Sequence, residues 1–225
     1  MTAKKKTTKK KTSKKNATPV SEEMITVQPI GMVEFDVEVQ SISPLVMHAN
    51  KDLGWLQDRA GNKPKEKKPV RDKKKESEAA THRDSDGDYA IPSSAFKRAV
   101  ESIAGSYPGV TIKQVNGGFH VLGDYVKMRN CGKPVIREDM VRIGKWPNKT
   151  PDIRWRPEFS SWRATLRIQL YPSELSPEKL INLLNKAGAH AGLLEMRPNT
   201  GFPFGRFTVL ATNAKRSKSS NGGDE

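Results

Sequence analysis

The stretch 162–210 constrains the fold most, because it predicts a strand, a helix, a glycine-containing loop and a second strand in succession. Apolar residues alternate with polar ones over 162–171, which is the period of a strand with one buried face. A Ser-Pro-Glu sequence at Ser176 then predicts the start of a helix, and Gly188 predicts its end in the left-handed conformation. The alternation returns over 204–210 and predicts a final strand.

Earlier segments extend this pattern of strands and helices. Residues 33–39 alternate apolar and polar side chains and predict the first strand. An apolar stripe predicts a first helix over 92–105, and residues 110–115 and 118–122 predict a hairpin. Without its insertions, the chain has the order strand, helix, strand, strand, helix, strand. This order predicts an α+β fold with a single ferredoxin-like (RRM-like) βαββαβ palm.

The first and third strands of such a palm are neighbours in the sheet. On the open face, Glu34, Asp36 and Glu38 are then expected to lie beside Arg163 and Arg167. Opposite charges across a strand pair contribute about 0.2–1 kcal/mol each, so we interpret the two arginines as ion-paired on the sheet. The acidic row also argues against a simple RRM, which stacks bases on aromatic residues of its open sheet face.

The positive charge of the chain has two separate sources. The formal net charge is +15, and residues 1–16 contribute eight lysines without an acidic residue. Residues 89–210 contain 18 basic and nine acidic residues, which leaves an excess of +9 in the part expected to fold. A basic tail alone is common, but a basic folded region in addition favours a nucleic acid as the partner.

Two insertions interrupt the palm. Residues 50–88 lose all periodicity and predict an exposed loop. Residues 123–160 form a basic second insertion with short strands predicted at 125–128 and 135–136. The predicted organisation is a disordered Lys-rich tail over 1–20, one domain over 21–211 and a flexible tail over 212–225.

Composition argues against several classes of protein. The lone Cys131 cannot form an internal disulfide, no stretch is long enough to span a membrane, and no apolar run follows the basic N-terminus as in a secretory signal. These features predict a cytoplasmic protein without membrane contact. Asp84, Asp86 and Asp88 resemble the start of a calcium loop, but Ala95 stands where the bidentate glutamate belongs. We therefore predict no metal and no cofactor.

Arg154, Trp155 and Arg156 are the strongest candidates for contact with nucleic acid. A guanidinium binds phosphate through two hydrogen bonds, and an indole ring stacks on a base with about 1–3 kcal/mol. In the alternative interpretation, Trp155 packs the insertion onto the core; if Ile153 also faces inward, the two arginines point outward together. The full predicted set is Lys97, Arg129, Arg137, Arg142, Arg154, Arg156, Arg197 and Arg206, with Gly201 and Gly205 in the C-terminal loop and Trp155 or Trp55 as the stacking platform.

His48 is the weak candidate for a catalytic residue. It follows an apolar run at the end of a predicted strand, and a histidine can act as general base in RNA cleavage. The alternative is a structural or substrate-positioning histidine, because no second residue is placed to act as the acid. The sequence therefore favours a binding protein over an enzyme.

Four motifs carry a resemblance to known proteins. They are Ile42-Ser-Pro-Leu-Val-Met-His48, Asp86-Gly-Asp-Tyr-Ala-Ile-Pro92 through Ala95-Phe-Lys-Arg-Ala99, Asp152-Ile-Arg-Trp-Arg-Pro157 and Met196-Arg-Pro-Asn-Thr-Gly-Phe-Pro-Phe-Gly-Arg-Phe207. Over residues 33–210 the chain resembles a group of phage and prophage proteins. These in turn resemble the RAMP superfamily, the ferredoxin-like proteins that form the crRNA-coating backbone subunits of CRISPR effector complexes.

The resemblance implies a palm that binds single-stranded RNA or DNA along a groove, in the cytoplasm of a bacterial host cell. It also implies self-association into a filament and a nucleic-acid contact by the loop over 189–205, where RAMP proteins carry their Gly-rich loop. Two alternatives stay open. One is a RAMP-type endoribonuclease that uses His48, and the other is a phage protein that binds a host CRISPR complex or another protein.

Overall fold

The computed structural model describes residues 30–49, 71–143, 147 and 149–213. The Lys-rich tail, Trp55 and almost all of the predicted C-terminal tail lie outside these residues. The division into a tail, one domain and a second tail therefore stays a prediction. Among the described residues, no helix is long and apolar enough to cross a membrane.

Strands and helices are mixed along the described chain. The strands are β1 (Val33–Ser41), β2 (Leu45–Val46), β3 (Ala90–Pro92), β4 (Phe119–Val121), β5 (Tyr125–Arg129), β6 (Val135–Ile143), β7 (Thr150–Phe159), β8 (Arg163–Leu170) and β9 (Phe207–Asn213). The helices are α1 (Lys73–Ala79), α2 (Ser93–Ala104), α3 (Ile112–Gly118), α4 (Pro177–His190) and a short 3-10 helix (Pro198–Thr200). The predicted α+β class is confirmed.

The larger sheet has the strand order β3-β5-β8-β1-β9, and β4 also pairs with β8. β1 is antiparallel to both β8 and β9, so the predicted first and third strands are neighbours. Arg167 lies opposite Asp36 in the register and forms an ion pair with Glu34 at 2.9 Å. Arg163 lies opposite the uncharged Gln40 instead of an acid. The predicted ion pairing of the sheet face thus holds for Arg167 and not for Arg163.

The core lies between the larger sheet and two helices that pack against each other, α2 and α4. Phe96, Ala99, Val100 and Ile103 form the predicted apolar stripe of α2, and all four are buried. The ring of Phe96 meets that of Phe207 on β9 edge to face, with 5.7 Å between the ring centres. Spacing by three and four residues places these side chains on one face of the helix, which explains why it covers the sheet.

The second insertion builds a sheet of its own, with the order β2-β7-β6. β6 pairs with β7 over its whole length, from Val135 opposite Glu158 to Ile143 opposite Thr150. The predicted strand at 135–136 is therefore far too short. Charged residues occupy consecutive positions of β6, and they hide the period of two from which strands are recognised.

Three further elements differ from the predictions made for them. Residues 110–122 form helix α3 and strand β4 instead of a hairpin, because Thr111 and Gln114 make a reciprocal capping box at the start of α3. Residues 73–79 belong to helix α1, although the first insertion was predicted to lack structure; the Asp72 side chain accepts from the Lys74 N–H at its start. The last strand begins at Phe207 and not at 204, because the preceding backbone bonds to residues 42–44.

Gly188 does not end helix α4, which continues to His190. A Cβ atom at Gly188 would lie 2.1 Å from the backbone oxygen of Phe207. The glycine is therefore required by the close approach of the helix to β9, and not by a left-handed turn. The predicted start of the helix is confirmed, since the Ser176 hydroxyl accepts from the Lys179 N–H and Pro177 is the first helical residue.

Candidate nucleic-acid interface

An open cavity of about 630 Å³ lies where the start of α2, strand β6 and the loop after α4 meet. We call it the arginine cavity, because Arg98 on α2, Arg156 on β7 and Arg197 in the loop after α4 line it. Its wall also contains the acids Asp139 and Glu195. The remaining lining residues are His48, His82, Pro92, Ser94, Ala95, Met140, Val141, Leu194, Met196, Thr200 and Phe202.

The loop from Leu193 to Gly205 is held by its own backbone. The Leu193 N–H donates to the Gly205 oxygen at 2.9 Å, and the Gly205 N–H donates to the Pro44 oxygen at 2.7 Å. Gly205 has a φ of +70°, and a Cβ there would lie 2.2 Å from the Leu193 oxygen. The Glu195 N–H donates to Val46 at 3.2 Å, which fixes the loop above β2. Gly205 is thus required for packing the loop, and its N–H is not available to a phosphate.

Arg156 is a buried cation at the base of the cavity, with only 6% of its surface exposed. Its Nη1 atom lies 3.8 Å from carboxylate oxygens of both Asp139 and Glu195, which is too long for a hydrogen bond. The Nε atom of Arg156 and the Oδ2 atom of Asp139 are both buried without a hydrogen-bond partner among the described residues. The guanidinium of Arg156 and the carboxylate of Asp139 therefore each keep a hydrogen-bonding atom that has no partner among the described residues.

Arg137 lies on the same face of β6 as Asp139 and orients that side chain. Its Nε donates to Asp139 Oδ1 at 2.7 Å, and its Nη1 donates to Glu158 at 2.8 Å. The hydrogen bond to Glu158, and after it the one to Asp139, raises the pKa of Arg137 above its ordinary value. The guanidinium also covers the Phe204 ring at 4.5 Å. The guanidinium of Arg137 is thus used in hydrogen bonds within the protein, although the sequence predicted that it contacts nucleic acid.

His48 is half-buried beside Arg154, whose Nη1 atom is 2.6 Å from His48 Nε2. A guanidinium can only donate, so Nε2 is the acceptor and the ring carries its proton on Nδ1. Burial lowers the pKa of His48, and the charges of Arg154 and Arg156 lower it further against the opposing effect of Glu195. The lone pair that a general base needs is therefore occupied, which argues against the catalytic interpretation of His48.

The lowered pKa of His48 predicts a dependence of stability on pH. Because the folded-state pKa lies below the value of about 6.5 in the unfolded chain, the unfolded chain takes up the proton first as the pH falls. The stabilisation by neutral His48 is therefore present above about pH 6.5 and is lost as the pH falls towards the folded-state pKa. Urea unfolding of His48→Gln between pH 5 and 8 should show a smaller loss of stability on acidification than the parent.

The exposed His120, on β4, provides the matched control. The free energy of unfolding of His120→Gln should fall by the same amount as that of the parent chain when the pH is lowered. If His48→Gln and the parent lose the same amount of free energy between pH 6.5 and 5, the assigned environment of His48 is incorrect.

Trp155 is not a free stacking platform. Its Nε1 donates to Glu138 at 2.7 Å, and the guanidinium of Arg71 lies 4.8 Å from the centre of the indole ring. Arg154 and Arg156 share one face of β7 as predicted, but that face is the inner one, with Arg156 buried and Arg154 half-buried. The expectation that they point outward together is wrong, because His48 and the loop with Glu195 cover the face that carries the two arginines.

Lys97 is also part of the structure and not of the interface. Its ammonium group donates to the backbone oxygens of Val115, Asn116 and Phe119 at 2.6–3.0 Å, at the end of helix α3. These three bonds use every N–H of the group, so none is left for a phosphate. Burial lowers the pKa of Lys97.

The other predicted cations are spread over the surface. Arg129 is exposed on the outer face of the larger sheet and bonds to Thr165, so it does not belong to the arginine cavity. Arg142 is exposed on β6, and Arg206 is half-buried with its Nε donating to Ala189 at 3.3 Å. Gly201 is exposed and ends the 3-10 helix with a φ of +85°. Of the predicted set, Arg156 and Arg197 therefore line the arginine cavity, and the other predicted cations do not.

Sequence reasoning missed Asp139 and Glu195 as parts of this site. The signal for Asp139 was present, because Arg137 and Asp139 are two residues apart and therefore share one face of a strand. The strand itself was not recognised at this point, so the pairing could not be derived. The interaction of Glu195 with Arg156 joins residues 39 positions apart in the sequence, and no local pattern predicts it.

Comparison with protein-family models finds no match, and comparison with curated proteins finds none either. Among solved structures, the chain is similar to one in the cryo-EM structure of the Type III-B Cmr-beta bound to cognate target RNA. The TM-score is 0.51 and the identity is 13%, over 81% of this chain and 60% of that chain. The crystal structure of Cmr6 from Pyrococcus furiosus gives a TM-score of 0.43 at 11% identity, over 80% of this chain and 98% of that one.

The first of these likenesses shows that the chain shares its fold with the matched chain of the Cmr-beta structure. At 13% identity it is evidence for the fold alone. This chain spans 60% of the length of the Cmr-beta chain that it matches.

Proposed function

We propose that the chain is a non-enzymatic protein that binds single-stranded nucleic acid, with RNA as the preferred partner, through the arginine cavity. The observation that carries the proposal is the convergence of Arg98, Arg156 and Arg197 from three separate elements on one open cavity. Three guanidiniums face two carboxylates there, so the wall carries a positive excess that favours a polyanion. The Cmr-beta complex of the matching structure is bound to target RNA, which supports RNA over DNA.

The arrangement of the larger sheet supports a ferredoxin-like palm. Its order β9-β1-β8, followed by β4 and β5 on the far edge of β8, agrees with the order of a split βαβ unit when α2 and α4 are the two crossing helices. Self-association into a filament, a phage origin and a place in the bacterial cytoplasm are further parts of the proposal. They rest on the sequence resemblance.

A protein partner is the second candidate, and exposed apolar residues on the second sheet favour it. Met140 is 79% exposed and lies opposite Ile153, which is 42% exposed. Contiguous exposed apolar patches mark surfaces that contact other proteins. A protein that remains bound to the purified chain after nuclease treatment would favour this second candidate.

The proposed function is tested by fluorescence anisotropy of labelled single-stranded RNA and DNA over a series of salt concentrations. Each phosphate contact lowers the slope of log affinity against log salt by about 0.7 for a single strand, so binding should weaken steeply with salt. The full chain is compared with a chain that lacks residues 1–20, because eight lysines can bind a polyanion without the folded part. Salt-dependent binding that survives the truncation is expected. Binding that is lost with the tail, or that does not change with salt, would contradict the proposal.

A further inference from the structure

The arginine cavity contains unsatisfied hydrogen-bonding groups of both kinds. The Nε atoms of Arg156 and Arg197 are buried donors without a partner among the described residues, and Asp139 Oδ2 is a buried acceptor without one. His48 Nδ1, which carries the proton, adds a third such donor. Groups of this kind are costly to leave unpaired, so a ligand that satisfies donors and acceptor together binds with an advantage.

A phosphate satisfies only part of this set. Phosphate oxygens accept from Arg156 and Arg197, but they place negative charge against Asp139, whose Oδ2 atom lies 3.8 Å from Arg156 Nη1. Glu195 lies at the same distance from Arg156 and adds a second repulsion. A nucleobase is neutral and carries donors and acceptors side by side on one edge. The chemistry of the cavity base therefore suits a base edge better than a phosphate.

We propose that the arginine cavity takes up one unstacked base of the bound strand and prefers guanine. Guanine offers the acceptors O6 and N7 to guanidinium groups, which is the most common specific contact between arginine and a base. It also offers two adjacent N–H donors, N1–H and N2–H, to the carboxylates of Asp139 and Glu195. Adenine and cytosine lack the N1–H donor, and uracil has a single N–H donor on its pairing edge.

The size and walls of the cavity agree with a nucleotide as the ligand. A volume of about 630 Å³ lies within the usual range of small-molecule sites, about 300–1,000 Å³. Phe202 is 47% exposed on the rim, and aromatic rings in this position stack on bases. Arg98 is exposed on the wall formed by α2 and is placed to contact a phosphate at the mouth. The proposal rests on the proposed function and adds base recognition to it.

The test measures competition by GMP, AMP, CMP, UMP and inorganic phosphate against a labelled uridine-run RNA with one central guanosine, on the full chain. GMP should displace the RNA at a concentration about five- to a hundredfold lower than the other nucleotides, which corresponds to one base contact. Inorganic phosphate should be a weaker competitor than GMP. Equal competition by all four nucleotides, or competition by phosphate as strong as by GMP, would overturn the proposal.

Glu195→Gln tests the carboxylate, because the side chain is 44% exposed and glutamine keeps its size while removing its charge. This variant should lose most of the preference for GMP, whereas Glu174→Gln, an exposed acid outside the cavity with the same charge change, should keep it. A retained preference in Glu195→Gln would overturn the assigned role. If the uridine-run RNA binds with salt dependence but GMP shows no preference, base recognition fails and the proposed function stands. If neither RNA nor GMP binds, both fail.

Discussion

Replacing Arg98 and Arg197 together by Gln is expected to weaken binding of single-stranded RNA about 10- to 100-fold, since each charge-assisted contact contributes about 1 kcal/mol or more. Both residues line the arginine cavity, Arg98 from α2 and Arg197 from the loop after α4. Neither forms an ion pair with a described residue, so their removal leaves no carboxylate without its partner. The negative slope of log affinity against log salt should become shallower by about 0.7 for each phosphate contact that is lost. Anisotropy over a salt series measures both quantities.

The control for this double variant is Arg163→Gln with Arg167→Gln. Both arginines are exposed on the outer face of the larger sheet, and their replacement removes the same net charge. This control should weaken binding by less than threefold, because distant exposed charges are screened at physiological salt. Equal losses in the two double variants would mean that affinity follows net charge alone, and the arginine cavity would then not be the binding site.

Gly188→Ala is expected to lower the free energy of unfolding by about 3 kcal/mol. The added Cβ would lie 2.1 Å from the backbone oxygen of Phe207 and 2.8 Å from its carbonyl carbon. Both atoms belong to β9, which is held to β1 along its length, so the contact is relieved only if α4 moves away from the sheet. This cost exceeds the gain of about 1 kcal/mol that alanine brings to a helix interior. Urea unfolding followed by circular dichroism measures the change.

Gly117→Ala is the matched control within the same protein. Gly117 is also helical, but nothing lies within 4 Å of the position that its Cβ would occupy. The substitution should therefore stabilise the chain by up to about 1 kcal/mol, through the helix preference of alanine alone. If both substitutions change stability in the same direction, the close packing of α4 on β9 is not what requires glycine at position 188.

Local sequence patterns predicted the strands and helices that bury one face on a single core. The alternation over 162–171 and 33–39, the stripe of α2 and the cap at Ser176 all produced elements within a few residues of their observed bounds. Each of these has one face on a single core, so burial follows the period of the element. Strand β6 and helix α3 were missed, because the charges of β6 mask its period and the β-branched residues at the start of α3 favour a strand.

The faces of β7 show why the candidate site was harder to derive than the fold. Alternation requires Arg154 and Arg156 to share a face, and they do. It cannot decide which face is inside, because β7 is covered on both sides: α1 packs over Trp155, and the loop with Glu195 approaches Arg156. Buried arginine is uncommon, so the sequence alone favours the opposite orientation.

The α+β class, the basic character of the folded part and the start of its two main helices follow from the sequence, because each depends on composition or on neighbours within about ten residues. Which cations are free to contact a ligand depends on the packing of the whole chain. Lys97 is bound by carbonyl groups at the end of α3, and Arg137 is bound by Asp139 and by Glu158 on the neighbouring strand, whereas Arg98 and Arg197 meet at one cavity. A charge is free or paired according to long-range contacts, and these have no local signature.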